Sequence, residues 1–558
     1  MARVARFWWV FRTLVRSGMI APLRPDKYLR MGMVIRRQGV TAMTGISLAA
    51  VRRPRATALI DERGSLTWAD LEARSNALAT GLATLREGRL ETVAVLCRNH
   101  RGFVEALSAA TKLGADVMLL NTGFSGPQLA DVMAREKGQL IIYDEEFAPL
   151  VEEARKELDD LVEVVAWHDG EAARVVEPVE TTVDRLIDEH QGQVPSKPPS
   201  PGRTILLTSG TTGTPKGARR SGGGGAGALA AMLDRIPWRA EQTTVVAAPM
   251  FHAWGFGQLA ISATMTCTVV MRRRFDPEAT LDLVDEHQAT GLAVVPVMLE
   301  RIVDLPDEVL DRYSLGSARF VTASGSKMRA DAVTAFMDRF GDLVYNSYNA
   351  TEVGLISTAT PVDLRAAADT AGRPVVGSEL RIVDDDFRDV APGEVGKITV
   401  ASDSQFEGYT SGDNKDFHEN YMVSGDLGRV DDEGRLYVVG RDDEMIVSGG
   451  ENVYPLEVEE TLGEHDAVLE AAVVGVDDEK YGQRLAAFVV LSPGQDASPD
   501  ELKQHVKDHL AGYKAPREVT ILDELPRNAA GKVVKRELTE GDENDGENEN
   551  DGENENKD

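Results

Sequence analysis

Residues 204–217 read TILLTSGTTGTPKG, a short apolar run followed at once by a loop of glycines, hydroxyl side chains and a lysine. Glycines let a backbone turn tightly and direct N–H groups at an anion, while hydroxyls and an ammonium group add donors and charge. A loop of this kind after a buried strand is suited to holding the phosphates of a nucleotide. It is not a Walker A loop, because Lys216 follows a proline and precedes Gly217. The predicted phosphate-binding residues are Thr208, Ser209, Gly210, Thr211, Thr212, Gly213 and Lys216.

Short apolar, β-branched runs recur on both sides of this loop, for example at residues 93–96, 140–143 and 320–322. Helical patterns alternate with most of them, which predicts buried parallel strands in an α/β fold of several layers. From about residue 397 the pattern changes to strands with tight turns, and residues 432–434 predict a hairpin. We therefore expect a large multilayer α/β domain with mostly parallel sheets and a small α+β C-terminal domain.

A polar break predicts the domain boundary at residues 441–443. The predicted organisation is a basic N-terminal extension at 1–50, a large domain at 51–440, a linking segment at 441–443, a C-terminal domain at 444–540 and a disordered acidic tail at 541–558.

Composition narrows the class of function. Of 558 residues, 61 are Lys or Arg and 91 are Asp or Glu, and the net charge of −30 argues against a nucleic-acid partner. Two distant cysteines, Cys97 and Cys267, favour neither a disulfide framework nor a cysteine-rich zinc site, so a reducing, cytoplasmic location is expected.

The N-terminal region is basic, in contrast to the net negative charge of the whole chain. Residues 1–50 hold nine basic residues and one acidic residue, and Phe7, Val10, Phe11, Leu14 and Val15 fall on one helical face. This pattern fits two interpretations: peripheral contact of residues 1–20 with an anionic membrane, or a helix packed on the main domain by the same face.

The loop at 208–217 resembles the phosphate loop of the adenylate-forming (ANL) superfamily, which includes acyl-CoA synthetases, adenylation domains of peptide synthetases and firefly-type luciferases. The resemblance continues over roughly residues 50–540 in the same order and spacing. It implies that the protein uses ATP and Mg²⁺, with coenzyme A as a co-substrate.

The resemblance also assigns roles to motifs in the large domain. The segment PMFHAWG at 249–255 implies that His252 lines the carboxylate pocket; for Trp254 and Phe256, gating of an acyl tunnel and core packing both stay open. The segment YNATE at 348–352 implies an adenine-stacking ring, an α-phosphate contact from the catalytic Thr351, and a Mg²⁺ ligand, Glu352. The implied adenine-contacting residues are Ser324, Gly325, Ser326, Tyr348 and Asn349.

The second half of the resemblance concerns the end of the chain. Asp426 is implied to accept hydrogen bonds from the ribose hydroxyls, Arg441 to contact the nucleotide, and Asp443 to act as a hinge. The glycine pair Gly449 and Gly450 is implied to approach the pantetheine chain. Lys532, in the segment PRNAAGK, is implied to bridge the substrate carboxylate and the α-phosphate.

The resemblance implies a long-chain fatty-acid–CoA ligase: a fatty acid, with medium to long chains favoured, becomes acyl-AMP with release of pyrophosphate and then acyl-CoA with release of AMP. A hinge rotation at Asp443 would separate the two steps. Three alternatives stay open: an acyl-carrier protein as the acceptor, a non-catalytic nucleotide-binding scaffold, and luciferase-like chemistry.

Overall fold

The computed structural model describes residues 3–158, 160–168, 181–207, 217–220, 225–402, 406, 408–410, 415–448, 451–478 and 482–539. The chain divides into two compact units. The first comprises Met1–Glu379 and Val400–Asp416, and the second comprises Leu380–Thr399 and Phe417–Asp558.

The helices of the described residues are α1 (Arg3–Arg16), α2 (Pro25–Gln38), α3 (Thr44–Arg52), α4 (Trp68–Leu82), α5 (Arg101–Leu113), α6 (Gly126–Arg135), α7 (Ala148–Arg155), α8 (Val183–Glu189), α9 (Gly225–Arg235), α10 (Ala253–Thr264), α11 (Pro277–Glu286), α12 (Pro296–Val303), α13 (Asp307–Leu310), α14 (Ala330–Phe340), α15 (Pro361–Ala366), α16 (Pro455–Gly463) and α17 (Pro499–His509).

The strands are β1 (Thr57–Asp61), β2 (Gly64–Thr67), β3 (Thr92–Leu96), β4 (Asp116–Leu119), β5 (Leu140–Asp144), β6 (Val162–Trp167), β7 (Thr204–Leu207), β8 (Gly217–Arg220), β9 (Thr243–Val246), β10 (Thr268–Val270), β11 (Gly291–Val294), β12 (Phe320–Ala323), β13 (Val344–Ala350), β14 (Gly354–Ala359), β15 (Arg373–Pro374), β16 (Ser378–Val383), β17 (Gly396–Ser402), β18 (Phe417–His418), β19 (Tyr421–Val430), β20 (Leu436–Arg441), β21 (Ile446–Ser448), β22 (Glu451–Val453), β23 (Val468–Asp478), β24 (Gly482–Leu491) and β25 (Glu518–Leu522).

A nine-stranded sheet in the first unit has the order β15-β14-β13-β12-β11-β9-β10-β1-β2. Its six middle strands, from β13 to β1, are parallel, and antiparallel strands occur only toward the two edges. The strands are short and β11 and β12 are buried along their whole length, as expected for a sheet covered by helices on both faces. The predicted apolar runs therefore become parallel strands of one sheet.

A six-stranded sheet with the order β6-β5-β3-β4-β7-β8 forms the second layer of the first unit. All its pairings are parallel except that of β7 with β8. One hydrophobic core contains residues from both sheets and from α4, α5 and α10, for example Leu59, Val95, Leu78, Phe103 and Leu259. The predicted α/β class with mostly parallel sheets is confirmed.

The second unit holds two sheets of five strands. One has the order β16-β17-β19-β18 with β20 on β19, and the other has the order β22-β21-β24-β23 with β25 on β24. The predicted hairpin at residues 432–434 joins β19 and β20. Helices α16 and α17 contribute Val458, Leu462, Leu502 and Val506 to a core with the second sheet. This smaller unit thus has the α+β character that the sequence predicts, while the boundary at 441–443 stays a prediction.

In the described part of the chain, no helix is both long enough and apolar enough to cross a membrane. Cys97 and Cys267 are both buried and are not joined to each other.

A buried ion pair joins the two layers of the first unit. The carboxylate of Asp61, at the end of β1, accepts hydrogen bonds from the Arg101 guanidinium, from the Arg101 backbone N–H and from the Arg63 backbone N–H, at 2.6 to 3.1 Å. Burial raises the pKa of Asp61, but the hydrogen bonds and charge of Arg101 lower it more, so the net pKa lies below its ordinary value.

We expect Asp61→Asn to destabilise the protein by about 3 kcal/mol at neutral pH, because it leaves Arg101 as a buried charge without its anion. A lowered carboxyl pKa gives stability that is complete above the unfolded-state pKa and is lost as the pH falls through the folded-state pKa. The difference between variant and wild type should therefore be constant from about pH 5 upward and shrink below about pH 4.

Urea unfolding of the full chain, followed by fluorescence at several pH values, measures this difference. Asp385→Asn is the matched control, since the Asp385 side chain is 93% exposed and its ion pair with Lys397 is a surface pair. A destabilisation that is the same at low and neutral pH would contradict the electrostatic explanation.

Candidate functional site

The predicted site residues of the first unit lie where neighbouring parallel strands end. Strand β12 ends at Ala323, β13 ends at Ala350 and β9 ends at Val246. Because β9, β11, β12 and β13 are successive parallel neighbours, the segments that follow β9, β12 and β13 all leave from the carboxyl edge of the sheet. Ligands of open α/β sheets bind at this edge.

Two of the predicted adenine-contacting residues are in direct contact. The Asn349 amide donates a hydrogen bond to the Ser324 hydroxyl over 2.7 Å, and Ser324 is buried. Gly325, next to it, has φ of +121°, a backbone conformation that residues other than glycine rarely adopt. Gly325 and Ser326 are exposed and Tyr348 is half-buried. The Ser324 hydroxyl, the turn at Gly325 and the Tyr348 ring thus all belong to the carboxyl edge of the sheet.

A β-bulge lies within this group. The register of β13 against β14 shifts between Tyr348 and Asn349. Bulges of this kind change the direction of side chains and are frequent beside functional sites. The bulge thus lies directly at Asn349, whose side chain contacts Ser324.

Glu352 lies in the turn between β13 and β14 and is 8% exposed. Its carboxylate accepts a hydrogen bond from the Tyr409 hydroxyl at 2.5 Å, and its carbonyl accepts one from the Phe406 N–H at 2.7 Å. Thr351, just before it, is half-buried. Carboxylate oxygens are hard ligands of the kind that Mg²⁺ prefers, so the Glu352 carboxylate fits the role of a metal ligand.

Tyr409 and Thr410 connect Glu352 to the exit of the phosphate loop. Tyr409 forms an isolated β-bridge with Ala218 of β8, and the Thr410 N–H donates to the Gly217 carbonyl at 2.8 Å. Gly217 immediately follows residues 208–216. The end of that loop and Glu352 are therefore attached to the same short segment, although they are far apart in the sequence. No motif pointed to Tyr409.

His252 occupies the position before the first turn of α10, with φ −87° and ψ 149°, and is half-buried with its ring 5.4 Å from that of Phe251. Asn99, which sequence reasoning also missed, fixes the approach to this residue. The Asn99 amide donates to the Ala248 carbonyl at 3.0 Å, and its oxygen accepts from the Met250 N–H at 2.8 Å.

Trp254 and Phe256 are both packed among apolar side chains. Trp254 is 7% exposed, its indole N–H donates to the Val294 carbonyl at 2.9 Å, and it packs with Ala248, Val295 and Val297. Phe256 is equally buried and belongs to the main core.

The second unit brings Asp426 and Arg441 together. They are opposite residues of β19 and β20, and their side chains form an ion pair of 3.0 Å. Arg441 also donates to the Asp443 carboxylate at 3.1 Å. Burial alone would lower the pKa of Arg441, but the carboxylates of Asp426 and Asp443 raise it, so the guanidinium is permanently charged.

Backbone geometry supports the same pair. The Ser424 hydroxyl donates to the Ile398 carbonyl at 2.9 Å and accepts from the Asp426 N–H at 3.0 Å. Gly425, between them, has φ of +84°, and a Cβ added there would lie 3.3 Å from the Arg441 guanidinium. Glycine is therefore required where the chain passes the arginine.

Lys532 ends a tight loop that Asn528 organises. The Asn528 side-chain oxygen accepts hydrogen bonds from the N–H groups of Ala530 and Lys532, both at 3.0 Å, and Gly531 between them has φ of +81°. The Asn528 N–H donates to the Lys532 carbonyl at 2.9 Å. The backbone of the predicted catalytic lysine is thus fixed before any substrate binds.

The segment after this loop is tied to the segment after the predicted hinge. The Lys535 ammonium lies 3.1 Å from the Glu444 carboxylate and 3.0 Å from that of Glu459. Burial lowers the pKa of Lys535, but the two carboxylates raise it above its ordinary value. Asp443, the predicted hinge, is exposed in a short 3₁₀ turn next to Glu444.

The remaining predicted residues lie outside the described residues. These are Thr208, Ser209, Gly210, Thr211, Thr212, Gly213, Lys216, Gly449 and Gly450. Their assignments stay predictions from the sequence.

Comparison with known proteins decides the family. A model of the AMP-binding enzyme family matches residues 46–410, and a model of the AMP-binding enzyme C-terminal domain matches residues 457–532. The chain belongs to the family of AMP-binding enzymes. The predicted membership of the adenylate-forming superfamily is thereby confirmed.

Several AMP-binding enzymes resemble this one along most of their length. The indoleacetate–CoA ligase of Aromatoleum aromaticum is 32% identical over 493 residues, covering 87% of this chain and 95% of the relative. The fatty acid–[acyl-carrier-protein] ligase ScoC of Streptomyces coeruleorubidus is 28% identical over 516 residues, covering 89% of this chain and 96% of the relative.

Solved structures give the same result. The o-succinylbenzoate–CoA synthetase MenE of Bacillus subtilis, in complex with the acyl-adenylate intermediate OSB-AMP, is 28% identical with a TM-score of 0.75, covering 88% of this chain and 97% of that protein. The same synthetase has been solved with ATP and a magnesium ion, with a TM-score of 0.74. The relatives are thus acid ligases with different acids and acceptors, and none of these three is a long-chain fatty-acid–CoA ligase.

Proposed function

We propose that this AMP-binding enzyme activates a medium- to long-chain fatty acid with ATP and transfers the acyl group to coenzyme A. The coarser part, ATP-dependent adenylation of an acid followed by thioester formation with CoA, follows from the family. The observation that supports it is that residues predicted to bind the nucleotide are brought together: Glu352 is joined through Tyr409 to the residue that follows the predicted phosphate loop, and Asp426 is paired with Arg441.

In the first step, an oxygen of the fatty-acid carboxylate attacks the α-phosphorus of ATP, a P–O bond to the acyl group forms, and pyrophosphate leaves. Negative charge accumulates around phosphorus as two anions approach, so the main task of the protein is positioning and charge neutralisation. Lys532 supplies a positive charge between carboxylate and α-phosphate, and Thr351 donates a hydrogen bond to the α-phosphate. His252 orients the carboxylate.

Glu352 would hold the magnesium ion, which when bound neutralises part of the phosphate charge. Its donor set fits this role, because an ionised carboxylate beside triphosphate would repel it unless a cation lay between them. Tyr409 orients the Glu352 carboxylate by its hydrogen bond. Asp426 accepts from the ribose hydroxyls, and Arg441 holds Asp426 in place.

In the second step, the CoA thiol attacks the carbonyl carbon of acyl-AMP, a C–S bond forms, and AMP leaves. We assign the segment around Ser448, Gly449 and Gly450 to this step, since glycines allow the pantetheine chain to approach the backbone. The hinge at Asp443 would exchange the Lys532 loop for this segment.

The identity of the acid is the part of the proposal that needs its own support. An apolar, basic N-terminus suits an acid that is delivered from a lipid phase. A fatty-acid ligase is among the relatives, but its acceptor is a carrier protein, whereas the indoleacetate–CoA ligase and the o-succinylbenzoate–CoA synthetase act on aromatic acids. An aromatic acid is therefore the second candidate substrate, and a carrier protein the second candidate acceptor.

We expect pyrophosphate release with CoA present to be at least about tenfold more efficient for decanoate and palmitate than for indoleacetate, ferulate or succinylbenzoate, because each buried methylene adds about 0.8 kcal/mol of binding free energy. Higher kcat/KM for an aromatic acid would replace the fatty-acid assignment. Pyrophosphate release followed by no thioester with free CoA, but transfer to an acyl-carrier protein, would replace the acceptor. No release with any acid would remove the enzymatic function.

A further inference from the structure

The exposed apolar side chains are concentrated at the N-terminus. Among the described residues, eleven of the seventeen exposed large hydrophobic side chains lie between positions 4 and 40. Trp8 is 60% exposed and Leu29 is 73% exposed. The ring of Trp8 is in contact with the rings of Phe7 and Phe11. Clusters of exposed apolar side chains mark surfaces that contact a partner or a membrane.

Helix α1 is apolar on two sides. Its inner side packs Val10 and Leu14 against a cluster that includes Leu233 and Trp238. Its outer side exposes Phe7, Trp8, Phe11 and Val15, together with Val4. The face that the sequence analysis treated as one is thus divided between core packing and solvent, and docking on the domain uses only part of the apolar surface.

Helix α2 adds a second exposed stripe that sequence reasoning missed. Its inner side is fixed on α3 by hydrogen bonds between Gln38 and Ser47. Its outer side exposes Leu29 and Met33, one helical turn apart, and Val40 is exposed just beyond the end of the helix.

The connection between the two helices is held in place by Arg52 of α3. The Arg52 guanidinium donates to the Met19 carbonyl at 2.7 Å and to the Gly18 carbonyl at 2.8 Å, and the Lys27 ammonium donates to the Arg52 carbonyl. The end of α1 and the start of α2 are therefore attached to one residue of the first unit.

Charge distinguishes this surface from the rest of the chain. Residues 1–50 hold nine basic residues and one acidic residue, whereas the whole chain has a net charge of −30. Arg12, Arg16, Arg30 and Arg36 are exposed. An anionic surface attracts this region and repels the remainder, so charge would both drive the approach and set its orientation.

We propose that the outer faces of α1 and α2 dock on an anionic lipid bilayer. Trp8, Phe11, Leu29 and Met33 enter the headgroup region, and the exposed arginines meet lipid phosphates. The segment at 541–558 has the complementary charge but no apolar residue to cover these side chains, and a second copy would present the same positive charge. The docking does not depend on which acid the enzyme activates, so its test is independent of the proposed function.

The test measures binding of the full chain to phosphatidylcholine vesicles with about 30% phosphatidylglycerol at about 0.1 M salt, by co-sedimentation and by quenching of tryptophan fluorescence with brominated lipid. Wild type should bind these vesicles, bind pure phosphatidylcholine vesicles at least about tenfold more weakly, and lose affinity at high salt. Trp8→Ser/Leu29→Ser should lower the partition coefficient at least about tenfold while leaving Val10 and Leu14 packed.

The matched control is Val362→Ser/Val395→Ser, which removes two exposed apolar side chains elsewhere and should bind like wild type. Three results would overturn the proposal: no binding of wild type to the anionic vesicles, equal loss in the control variant, or a wild-type dimer that Trp8→Ser/Leu29→Ser converts to a monomer in light scattering. Unchanged folding of the variant is verified by its thermal unfolding midpoint.

Discussion

Replacing Lys532 with alanine is expected to lower the rate of acyl-adenylate formation about 10³-fold, because it removes the positive charge proposed to lie between two anionic reactants at the moment they combine. The rate at which supplied acyl-AMP reacts with CoA should stay within about threefold of wild type. That step forms a bond at the carbonyl carbon and none at the α-phosphorus, where the charge of Lys532 is proposed to act. The two half-reactions are measured separately, by exchange of labelled pyrophosphate into ATP and by thioester formation from synthetic acyl-AMP.

Alanine at position 532 should leave the backbone of the loop unchanged. The loop is held by backbone groups and the Asn528 side chain, so removing the Lys532 ammonium leaves these hydrogen bonds intact. Lys503→Ala is the matched control, because Lys503 forms a surface ion pair with Asp500 and should change neither rate. Equal loss in both half-reactions would mean that Lys532 has a structural role or serves both steps.

The hairpin that carries Asp426 and Arg441 could be predicted from the sequence, but the pairing of these two residues could not. The tight turn at residues 432–434 starts a register that, if continued, would place Asp426 opposite Gly440. A β-bulge between Leu427 and Gly428 shifts this register by one residue, so that Asp426 lies opposite Arg441. The parallel sheets were equally accessible, because short apolar runs separated by helices leave few other ways to bury both faces of a strand. Local patterns therefore predict the fold class and the hairpin, whereas the bulge that pairs Asp426 with Arg441 is seen only in the structure.

The role of Tyr409 could not be predicted in this way. It lies 57 positions from Glu352, and the contact depends on how the segment at 406–410 meets β8 and Glu352. Neither hydrophobic periodicity nor turn chemistry determines such a long-range pairing. The same holds for Asn99, whose side chain crosses from the end of β3 to the segment before His252.

Helix α1 shows a different limit. Its periodicity locates the centre of a broad apolar face, but a face that wide does not reveal which part contacts the domain. Only the packing of Val10 and Leu14 with the cluster beside α9 separates the buried stripe from the exposed one. The exposed apolar side chains indicate an interaction surface, because packing against the domain does not account for them.

Glu352→Gln is expected to lower kcat/KM for ATP about 10²-fold and to raise the magnesium concentration needed for half-maximal rate, because a neutral amide is a much weaker ligand than a carboxylate for a hard cation. Glutamine has almost the same shape, and its carbonyl oxygen can still accept the hydrogen bond from Tyr409. The substitution thus removes the charge and keeps the packing of a side chain that is 8% exposed.

Tyr409→Phe is the companion variant, since it keeps the ring and removes only the hydroxyl that orients the Glu352 carboxylate. We expect it to lower activity about tenfold, with a smaller shift in the magnesium requirement than Glu352→Gln causes. Titration of activity with magnesium at saturating ATP separates the two effects. If Glu352→Gln lowers the rate without changing the magnesium dependence, the carboxylate is not the metal ligand. If Tyr409→Phe is silent while Glu352→Gln is not, the hydroxyl does not orient the carboxylate, and the bond between them serves only to close the segment at 406–410 onto the sheet.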